Sequence, residues 1–200
     1  MRIGVLASGG GTDFQSIVDA VERGEVPVTI AVLIYNKQNA QVRERADRAG
    51  ISAVFIDHRK RPREEFEREM AKELHNRKVE LVVMAGFMRL LTPYFVREFK
   101  DRLINIHPAL LPSFPGIRGQ QDAFDYGVKV SGCTVHFVDE NMDSGPIIMQ
   151  RAVPVLQNDT VDSMKERILL EEHMVLPLAI KLYAEGKLRI EGRKVRIRED

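Results

Sequence analysis

An amide and an imidazole lie two residues apart near the middle of the chain, where Asn105 and His107 end an apolar run. In an extended strand, residues i and i+2 point to the same face, so both side chains would enter one pocket. Pro108 follows His107 directly and cannot donate to a strand ladder, so the strand is expected to end there. Amide and imidazolium donors stabilise the oxyanion of a tetrahedral species, which predicts acyl or formyl transfer at this position.

A carboxylate from an acidic loop is the third candidate catalytic group. Asp143 lies within residues 139–146 (DENMDSGP), which could fold back toward His107. A carboxylate beside a histidine raises the histidine pKa above its unperturbed value of about 6.5 and keeps the ring charged near neutral pH. Asp143 could also relay the proton lost by an attacking amine through water. The alternative is that Asp143 only forms a turn before Ser144 and Gly145.

A glycine-rich loop follows the first apolar run, at residues 8–12 (SGGGT). Because it opens a helix-patterned stretch, its backbone amides and the helix dipole are suited to a phosphate. Phe14 stands where a dinucleotide fingerprint has its third glycine, the second strand ends without an acidic residue, and no Walker lysine is present. The loop therefore predicts a monophosphate ligand, the alternative being a tight turn that needs glycine only for clearance.

The remaining polar residues argue against metal or serine chemistry. The five histidines show no ligand spacing typical of a metal site, and no serine lies in a nucleophile elbow. Direct transfer, without a metal or a covalent intermediate, is the chemistry that remains. Glu172 lies on an apolar helical stripe, where a carboxylate is costly unless it is paired. Its partner is either a substrate ammonium or a neighbouring protein group.

The overall composition favours a single domain with one core, because the 200 residues are 44% hydrophobic. Lys and Arg total 30 against 29 Asp and Glu, which indicates no general affinity for nucleic acid or an anionic membrane. The single Cys133 is expected to be a buried thiol in a reducing compartment. The first apolar run, residues 3–7, is too short for a signal peptide or a membrane span, so we expect a cytoplasmic protein.

Short apolar runs alternate with charged helical stretches in the first half, which predicts βαβ units around a parallel sheet. The predicted strands are residues 3–7, 28–34, 53–56, 81–85 and 103–106, and the predicted helices are 12–23, 40–49 and 63–77. The fold class predicted is three-layer α/β, with a mostly parallel Rossmann-like sheet, helices on both faces, and antiparallel strands added in the C-terminal half.

The second half predicts a helix at 119–126, two antiparallel strands at 131–138 and 146–155, and a long helix at 159–184. Asp159 or Thr160 would cap the long helix, and Pro177 would kink it. The basic tail, residues 187–198, alternates apolar and charged residues around a glycine. That pattern is more typical of a small hairpin with a solvated charged face than of a nucleic-acid-binding arm.

Four motifs together resemble the phosphoribosylglycinamide formyltransferases, a branch of the folate-dependent formyltransferase superfamily. They are residues 8–12 (SGGGT), 85–91 (AGFMRLL), 105–108 (NIHP) and 143–146 (DSGP). The resemblance spans nearly the whole chain. It implies that 10-formyltetrahydrofolate donates a formyl group to the amine of phosphoribosylglycinamide in purine biosynthesis. It also implies small-molecule partners only, no metal, a monomer or homodimer, and one domain with a nucleotide-binding half (1–100) and a catalytic, folate-binding half (101–200).

The resemblance also implies roles for individual residues. Asn105 and His107 would serve the formyl oxygen and proton chemistry, and Asp143 would raise the His107 pKa. The folate would contact Asn105 and five residues of the first half: Arg63, Met88, Arg89, Leu90 and Leu91. By themselves, Met88 to Leu91 are more typical of a core segment. The substrate phosphate would bind Gly11, Thr12 and Asp13, and its ammonium would meet Glu172.

Two positions depart from the family pattern. Asp13 stands where the family usually has asparagine, and a carboxylate should repel a phosphate. Arg118 stands where the family usually has histidine. Our hypothesis is that Arg118 supplies positive charge near the substrate phosphate and offsets Asp13.

Three alternatives remain for the function. Methionyl-tRNA formyltransferase shares the folate chemistry but carries a C-terminal RNA-binding domain, whereas only a hairpin follows the last helix here. Formyltetrahydrofolate deformylase shares the catalytic trio but has an N-terminal regulatory domain, whereas the first strand here begins near Arg2. A non-enzymatic nucleotide-binding module would keep the glycine loop without needing Asn105, His107 and Asp143 together.

Overall fold

The computed structural model describes residues 1–198, in which strands and helices alternate through the first half. In chain order the elements are β1 (Arg2–Ala7), α1 (Thr12–Glu22), β2 (Thr29–Tyr35), α2 (Val42–Arg48), β3 (Ala53–Phe55), α3 (Arg63–Asn76), β4 (Leu81–Met84), α4 (Pro93–Glu98), β5 (Leu103–His107), α5 (Gly119–Tyr126), β6 (Val130–Phe137), β7 (Ile147–Pro154), α6 (Val161–Ala184), β8 (Leu188–Glu191) and β9 (Lys194–Ile197).

The strands form a nine-stranded sheet in the order β3-β2-β1-β4-β5-β6-β7-β9-β8. The predicted fold class is therefore confirmed: a mixed α/β sheet, mostly parallel, with antiparallel strands in its C-terminal part and helices around it. The chain divides into two compact units, Met1–Asn105 and Ile106–Asp200. The division falls inside β5, between Asn105 and Ile106.

The first unit is a parallel sheet whose central strands are buried. β1 pairs in parallel with β2 and β4, β2 with β3, and β4 with β5. The β1 side chains from Ile3 to Ala7 are buried, which explains why this strand is a continuous apolar run rather than an alternating one. The carboxyl ends of β1, β2 and β4 carry the loops in which ligands of such sheets bind.

Helix α4 was not predicted from the sequence. It has only six residues, which are too few to show a helical period of apolar residues that differs from the flanking loop. The local start signal was nevertheless present, because Thr92 precedes Pro93 at the first helical position. Phe95 and Phe99 anchor this short helix segment, with ring centroids 4.7 Å apart.

The second unit contains the predicted antiparallel pair, since β6 and β7 pair antiparallel from Val130↔Pro154 to His136↔Ile147. Cys133 lies on β6 and is buried, as expected. Gly132 lets the strands approach closely, because a Cβ there would lie 1.9 Å from the Arg151 carbonyl oxygen. The C-terminal hairpin is also confirmed, with β8 and β9 antiparallel and β9 joined to β7 at Ile147↔Lys194.

Thr160, rather than Asp159, caps α6. The Thr160 hydroxyl accepts from the Ser163 amide, and the Ser163 hydroxyl accepts from the Thr160 amide, which forms a capping box. Asp159 instead binds Arg167, and this hydrogen bond lowers the pKa of its carboxyl well below the usual range. The helix continues through the buried Pro177 to Ala184. Within residues 1–198, no helix is both long and apolar enough to cross a membrane.

Candidate active site

The candidate catalytic residues begin at the end of β5, where sequence reasoning placed them. His107 is 3% exposed, and Asn105 is half-buried two residues earlier on the same strand. The period of an extended strand gives the two side chains a common face. After His107 the chain leaves the sheet at Pro108. The predicted strand position of the amide and the imidazole is therefore confirmed.

Both ring nitrogens of His107 face oxygen acceptors. Nε2 lies 2.9 Å from the carbonyl oxygen of Phe114, and Nδ1 lies 3.5 Å from Oδ2 of Asp143. A neutral imidazole carries one N–H, whereas an imidazolium carries two. Only the imidazolium can donate toward the carbonyl and the carboxylate together. The second unit therefore brings together the histidine and the aspartate that the sequence paired, in an arrangement suited to positive charge.

Asp143 approaches His107 from a tightly folded loop. Its φ of 49° lies in the left-handed region, which few residues other than glycine adopt. Its Oδ2 accepts a 2.7 Å hydrogen bond from the backbone amide of Gly116. Gly145 packs against the preceding strand so closely that a Cβ would lie 1.8 Å from the Phe137 carbonyl oxygen. The loop thus holds the carboxylate in place through backbone contacts that no sequence pattern reveals.

His136 is a neighbour of Asp143 that sequence reasoning considered only as a metal ligand. It lies on β6, is 1% exposed, and places Nε2 3.8 Å from Oδ1 of Asp143. Its Nδ1 donates to the Phe137 carbonyl oxygen at 2.9 Å. Burial lowers the pKa of His136, so this ring stays neutral near pH 7. His136 therefore adds a second, neutral ring beside the carboxylate. The sequence signal that could have indicated His136 is its position as a histidine within an apolar strand.

Gly119 is a second position that the sequence did not single out. A Cβ at Gly119 would lie 2.7 Å from the Phe114 carbonyl oxygen and 3.0 Å from Nε2 of His107. Contacts this short are sterically unfavourable. The glycine that begins α5 therefore provides the space in which the histidine ring reaches the carbonyl.

The glycine-rich loop of the first unit leads from β1 into the first turn of α1. Gly11 adopts φ 75° as the residue before α1, and a Cβ there would lie 2.4 Å from Cγ2 of Val42. No side chain caps the helix at this position. Arg45 of α2 donates to the Gly10 carbonyl oxygen at 2.7 Å. The loop is therefore held from its carbonyl side, while Thr12 begins the helix.

Asp13, in the first turn of α1, is not an ordinary exposed carboxylate. Its Oδ1 is fully buried, and burial raises the pKa of Asp13 to about 6. The helix dipole favours the charged form at this position, but desolvation is the dominant effect. Since this pKa still lies below neutral pH, the carboxyl remains mostly ionised at pH 7.

The segment predicted to contact folate is not part of the core. Met88 and Leu90 are 56% and 53% exposed, whereas Arg89 and Leu91 are half-buried. The Met88 amide donates to the hydroxyl of Ser8 at 2.9 Å, which ties the segment to the glycine-rich loop. The interpretation of this segment as ordinary core is therefore wrong for two of its four side chains. Arg63, the first residue of α3, is exposed.

The two remaining candidates, Glu172 and Arg118, have contrasting surroundings. Glu172 is 5% exposed on α6, among Ile168, Val175 and other fully buried apolar residues, which confirms its predicted place on the apolar stripe. The Arg118 side chain is 66% exposed and lies 3.4 Å from Asp122 and 4.0 Å from Asp125. In residues 1–198, no group of three or more His, Cys, Asp or Glu side chains is arranged to hold a metal ion.

The class of protein follows from comparison with known families. The formyl transferase family model matches residues 1–180, so the chain belongs to the formyl transferase family. Within that family, the chain is 39% identical to phosphoribosylglycinamide formyltransferase of Escherichia coli K12, over 95% of this chain and 90% of that protein. The resemblance predicted from the four motifs is therefore confirmed.

Other relatives agree with this grouping. Glycinamide ribonucleotide transformylase 1 from Symbiobacterium toebii superimposes with a TM-score of 0.97 at 50% identity, covering 100% of this chain and 94% of that one. The trifunctional purine biosynthetic protein adenosine-3 of Chironomus tentans is 44% identical over 96% of this chain. The chain spans 14% of the length of that relative.

A formyltetrahydrofolate deformylase from Pseudomonas syringae also shares the fold. Its TM-score is 0.93 at 28% identity, over 99% of this chain and 66% of that chain. The fold therefore does not by itself separate transfer to an amine from transfer to water.

Proposed function

We propose that this chain transfers a formyl group from 10-formyltetrahydrofolate to the amine of 5-phosphoribosylglycinamide, in purine biosynthesis. The observation that carries the proposal is the contact between His107 and Asp143 at the end of β5. The chain is also similar, over 95% of its length, to a phosphoribosylglycinamide formyltransferase. The substrate amine attacks the formyl carbon, the carbonyl oxygen becomes an oxyanion, and the bond from the formyl carbon to the folate nitrogen then breaks. The products are the formylated nucleotide and tetrahydrofolate.

The oxyanion would be stabilised by Asn105 and His107. The Asn105 amide donates a hydrogen bond, and the charged His107 ring supplies positive charge beside it. In the free protein, His107 Nε2 faces the Phe114 carbonyl oxygen. On substrate binding, the Nε2–H group would change its hydrogen-bond acceptor from this carbonyl to the substrate oxygen. Asp143 stabilises the charged ring and, through water, moves the proton from the attacking amine to the leaving nitrogen of the folate.

The substrates would be held by the two groups of residues that the resemblance implies. The phosphate would bind at Gly11, Thr12 and Asp13, with Arg118 adding positive charge, and Glu172 would receive the substrate ammonium. The folate would bind along the segment from Met88 to Leu91, in which Met88 and Leu90 are exposed apolar side chains. Its contacts would come from Arg63, Met88, Arg89, Leu90, Leu91 and Asn105.

Deformylation is the second candidate, because a formyltetrahydrofolate deformylase that is 28% identical shares the fold. The discriminating experiment mixes the protein with 10-formyltetrahydrofolate and follows tetrahydrofolate by absorbance, with and without phosphoribosylglycinamide. Product that appears only with the nucleotide supports the transferase. Product at the same rate without it identifies a hydrolase, and no product in either case leaves a binding protein.

The mechanism is tested by Asp143→Asn. We expect kcat to fall by about 10² to 10⁴-fold, because the charged form of His107 loses its partner and the proton relay is lost. Asp162→Asn is the matched control, since its side chain is 81% exposed, and it should keep the wild-type kcat. An Asp143→Asn variant that folds and retains near-native kcat would remove Asp143 from the mechanism.

A further inference from the structure

The turn of the C-terminal hairpin lies against the loop that carries Asp143. Arg193, at the β8–β9 turn, donates through Nη2 to the carbonyl oxygen of Ser144 at 2.8 Å. The next residue, Lys194, pairs with Ile147, where β7 begins. The hairpin therefore contacts the chain on both sides of Gly145 and Pro146.

The Asp143 loop is a segment that needs such support. Asp143 has the left-handed φ of 49°, a conformation that persists in a non-glycine residue only where the surroundings fix it. From within the loop, the Ser144 hydroxyl donates to both carboxylate oxygens of Asp139, at 2.7 and 2.8 Å. Arg193 adds a contact from 49 residues further along the chain. Its target is the carbonyl of the Ser144–Gly145 peptide, one peptide group beyond the one that follows Asp143.

Arg193 differs in this respect from the other arginines of the hairpin. Arg189 and Arg196 each lie 3.4 Å from Glu191, a residue of the same hairpin. These two arginines therefore belong to the solvated charged face of the hairpin, as the sequence predicted. At Arg193 the guanidinium reaches a loop outside the hairpin, and a charged donor makes a stronger hydrogen bond to a carbonyl than a neutral one.

We propose that Arg193 is a positioning residue that holds the Asp143 loop in its catalytic conformation through the Ser144 carbonyl. The proposal rests on the proposed function, because it assigns Arg193 to the orientation of a carboxylate that acts on His107. Fixing the carbonyl of Ser144 fixes the Ser144–Gly145 peptide plane, which restrains Ser144 and, through it, the backbone of the adjoining Asp143. Release of that plane lets Asp143 leave its left-handed conformation and move away from the 3.5 Å contact with His107.

The test compares Arg193→Met with Arg196→Met, which removes a charge of the same type from the same hairpin. For Arg193→Met we expect kcat to fall about fivefold, as for loss of one hydrogen bond. The KM for the nucleotide should change less than about twofold, and the alkaline limb of the kcat–pH profile should move to lower pH. Arg196→Met should match the wild type in each respect. Arg193→Lys, which can still donate to the carbonyl, should recover part of kcat.

A second readout does not depend on activity. Amide hydrogen exchange of residues 139–146, measured without substrate, should be faster in Arg193→Met than in Arg196→Met and the wild type. Equal exchange in the two variants, or faster exchange with unchanged kcat and pH profile, would overturn the proposal. If the wild type shows no formyl transfer, the proposed function fails, while hydrogen exchange still decides whether Arg193 holds the loop. If Arg193→Met does not fold, the comparison is made with Arg193→Lys, which keeps a donor. Wild-type hydrogen exchange and wild-type kcat in Arg193→Lys support the proposal. Faster exchange together with a fall in kcat of about fivefold overturns it, because the donor is still present.

Discussion

His107, the proposed catalytic histidine, has surroundings that include backbone atoms as well as side chains. Its Nε2 faces the carbonyl oxygen of Phe114, and its Nδ1 faces a carboxylate that is itself held by the Gly116 amide. The two backbone groups lie two residues apart in one loop, so a single segment contacts both members of the pair. A shift of that loop would therefore alter the histidine and the aspartate together.

Asp13 gives a prediction at the same scale, for stability. Its folded-state pKa of about 6 lies above the usual value of 3.8. At pH values between these two, the folded state keeps a proton that the unfolded state has lost. Stability therefore falls as pH rises from about 4 to 6, and the loss is complete above that window. We expect Asp13→Asn to be neutral near pH 3 and to stabilise the protein at pH 8, by at most about 3 kcal/mol.

Chemical denaturation at several pH values measures this difference. Asp47→Asn is the control, because that side chain is 58% exposed, and its effect should stay within about 0.5 kcal/mol at every pH. A stability difference for Asp13→Asn that does not vary between pH 3 and 8 would contradict the prediction.

Arg118 gives a prediction for substrate binding. If its charge serves the substrate phosphate, Arg118→Met should raise the nucleotide KM roughly fivefold, with the folate KM nearly unchanged, as expected for one exposed charged contact. The guanidinium is shared with Asp122 and Asp125, which limits the effect. Steady-state kinetics with each substrate varied in turn measures it, with exposed Lys129→Met as control. Equal, small changes in both KM values would contradict the proposed role of Arg118 at the substrate phosphate.

At the scale of elements, a buried carboxylate joins α3 to the start of α4. Glu67 is 1% exposed; its Oε1 accepts from the Thr92 amide at 2.9 Å, and its Oε2 accepts from the Thr92 hydroxyl. Thr92 precedes α4 and follows the exposed Met88 to Leu91 segment. Burial raises the pKa of Glu67, against the effect of these hydrogen bonds. A single side chain therefore fixes the end of the segment to which we assign folate binding.

Glu67→Gln should lower the free energy of unfolding by about 1 kcal/mol, because one of its two acceptors becomes a donor. It should also raise the folate KM more than the nucleotide KM. Glu65→Gln, on the same helix with a side chain 63% exposed, should change stability by less than about 0.5 kcal/mol. Urea denaturation and steady-state kinetics give the two measurements, and equal effects of the two variants would argue against the anchoring role.

At the scale of the whole molecule, ligand binding should stabilise the fold by mass action. At 100 times its dissociation constant, phosphoribosylglycinamide should add about 2.7 kcal/mol to the free energy of unfolding and raise the Tm. Differential scanning fluorimetry measures this, with glycinamide, which lacks the phosphoribosyl group, as the control. A Tm that responds equally to both compounds, or to neither, would contradict phosphate recognition.

The order and type of most elements could be predicted from the sequence, because apolar periodicity reflects burial directly. β1, β2, α3, α5 and α6 begin and end within about two residues of their predicted bounds. The short α4 could not be found in that way, since six residues do not establish a period. The choice of Thr160 over Asp159 as the α6 cap also needed the structure, because either side chain could accept the hydrogen bond.

The sequence by itself determined the family, the strand that carries Asn105 and His107, and the glycine loop, because these depend on neighbouring residues and their spacing. Only the tertiary structure decided that Asp143 reaches His107, that His136 lies beside it, and that Arg193 contacts the Ser144 carbonyl. Asp143 is 36 positions from His107 (143 − 107), and Arg193 is 49 positions from Ser144, whose backbone carbonyl it contacts. Every residue has the same backbone groups, so no pattern of residue types can indicate which of them meet.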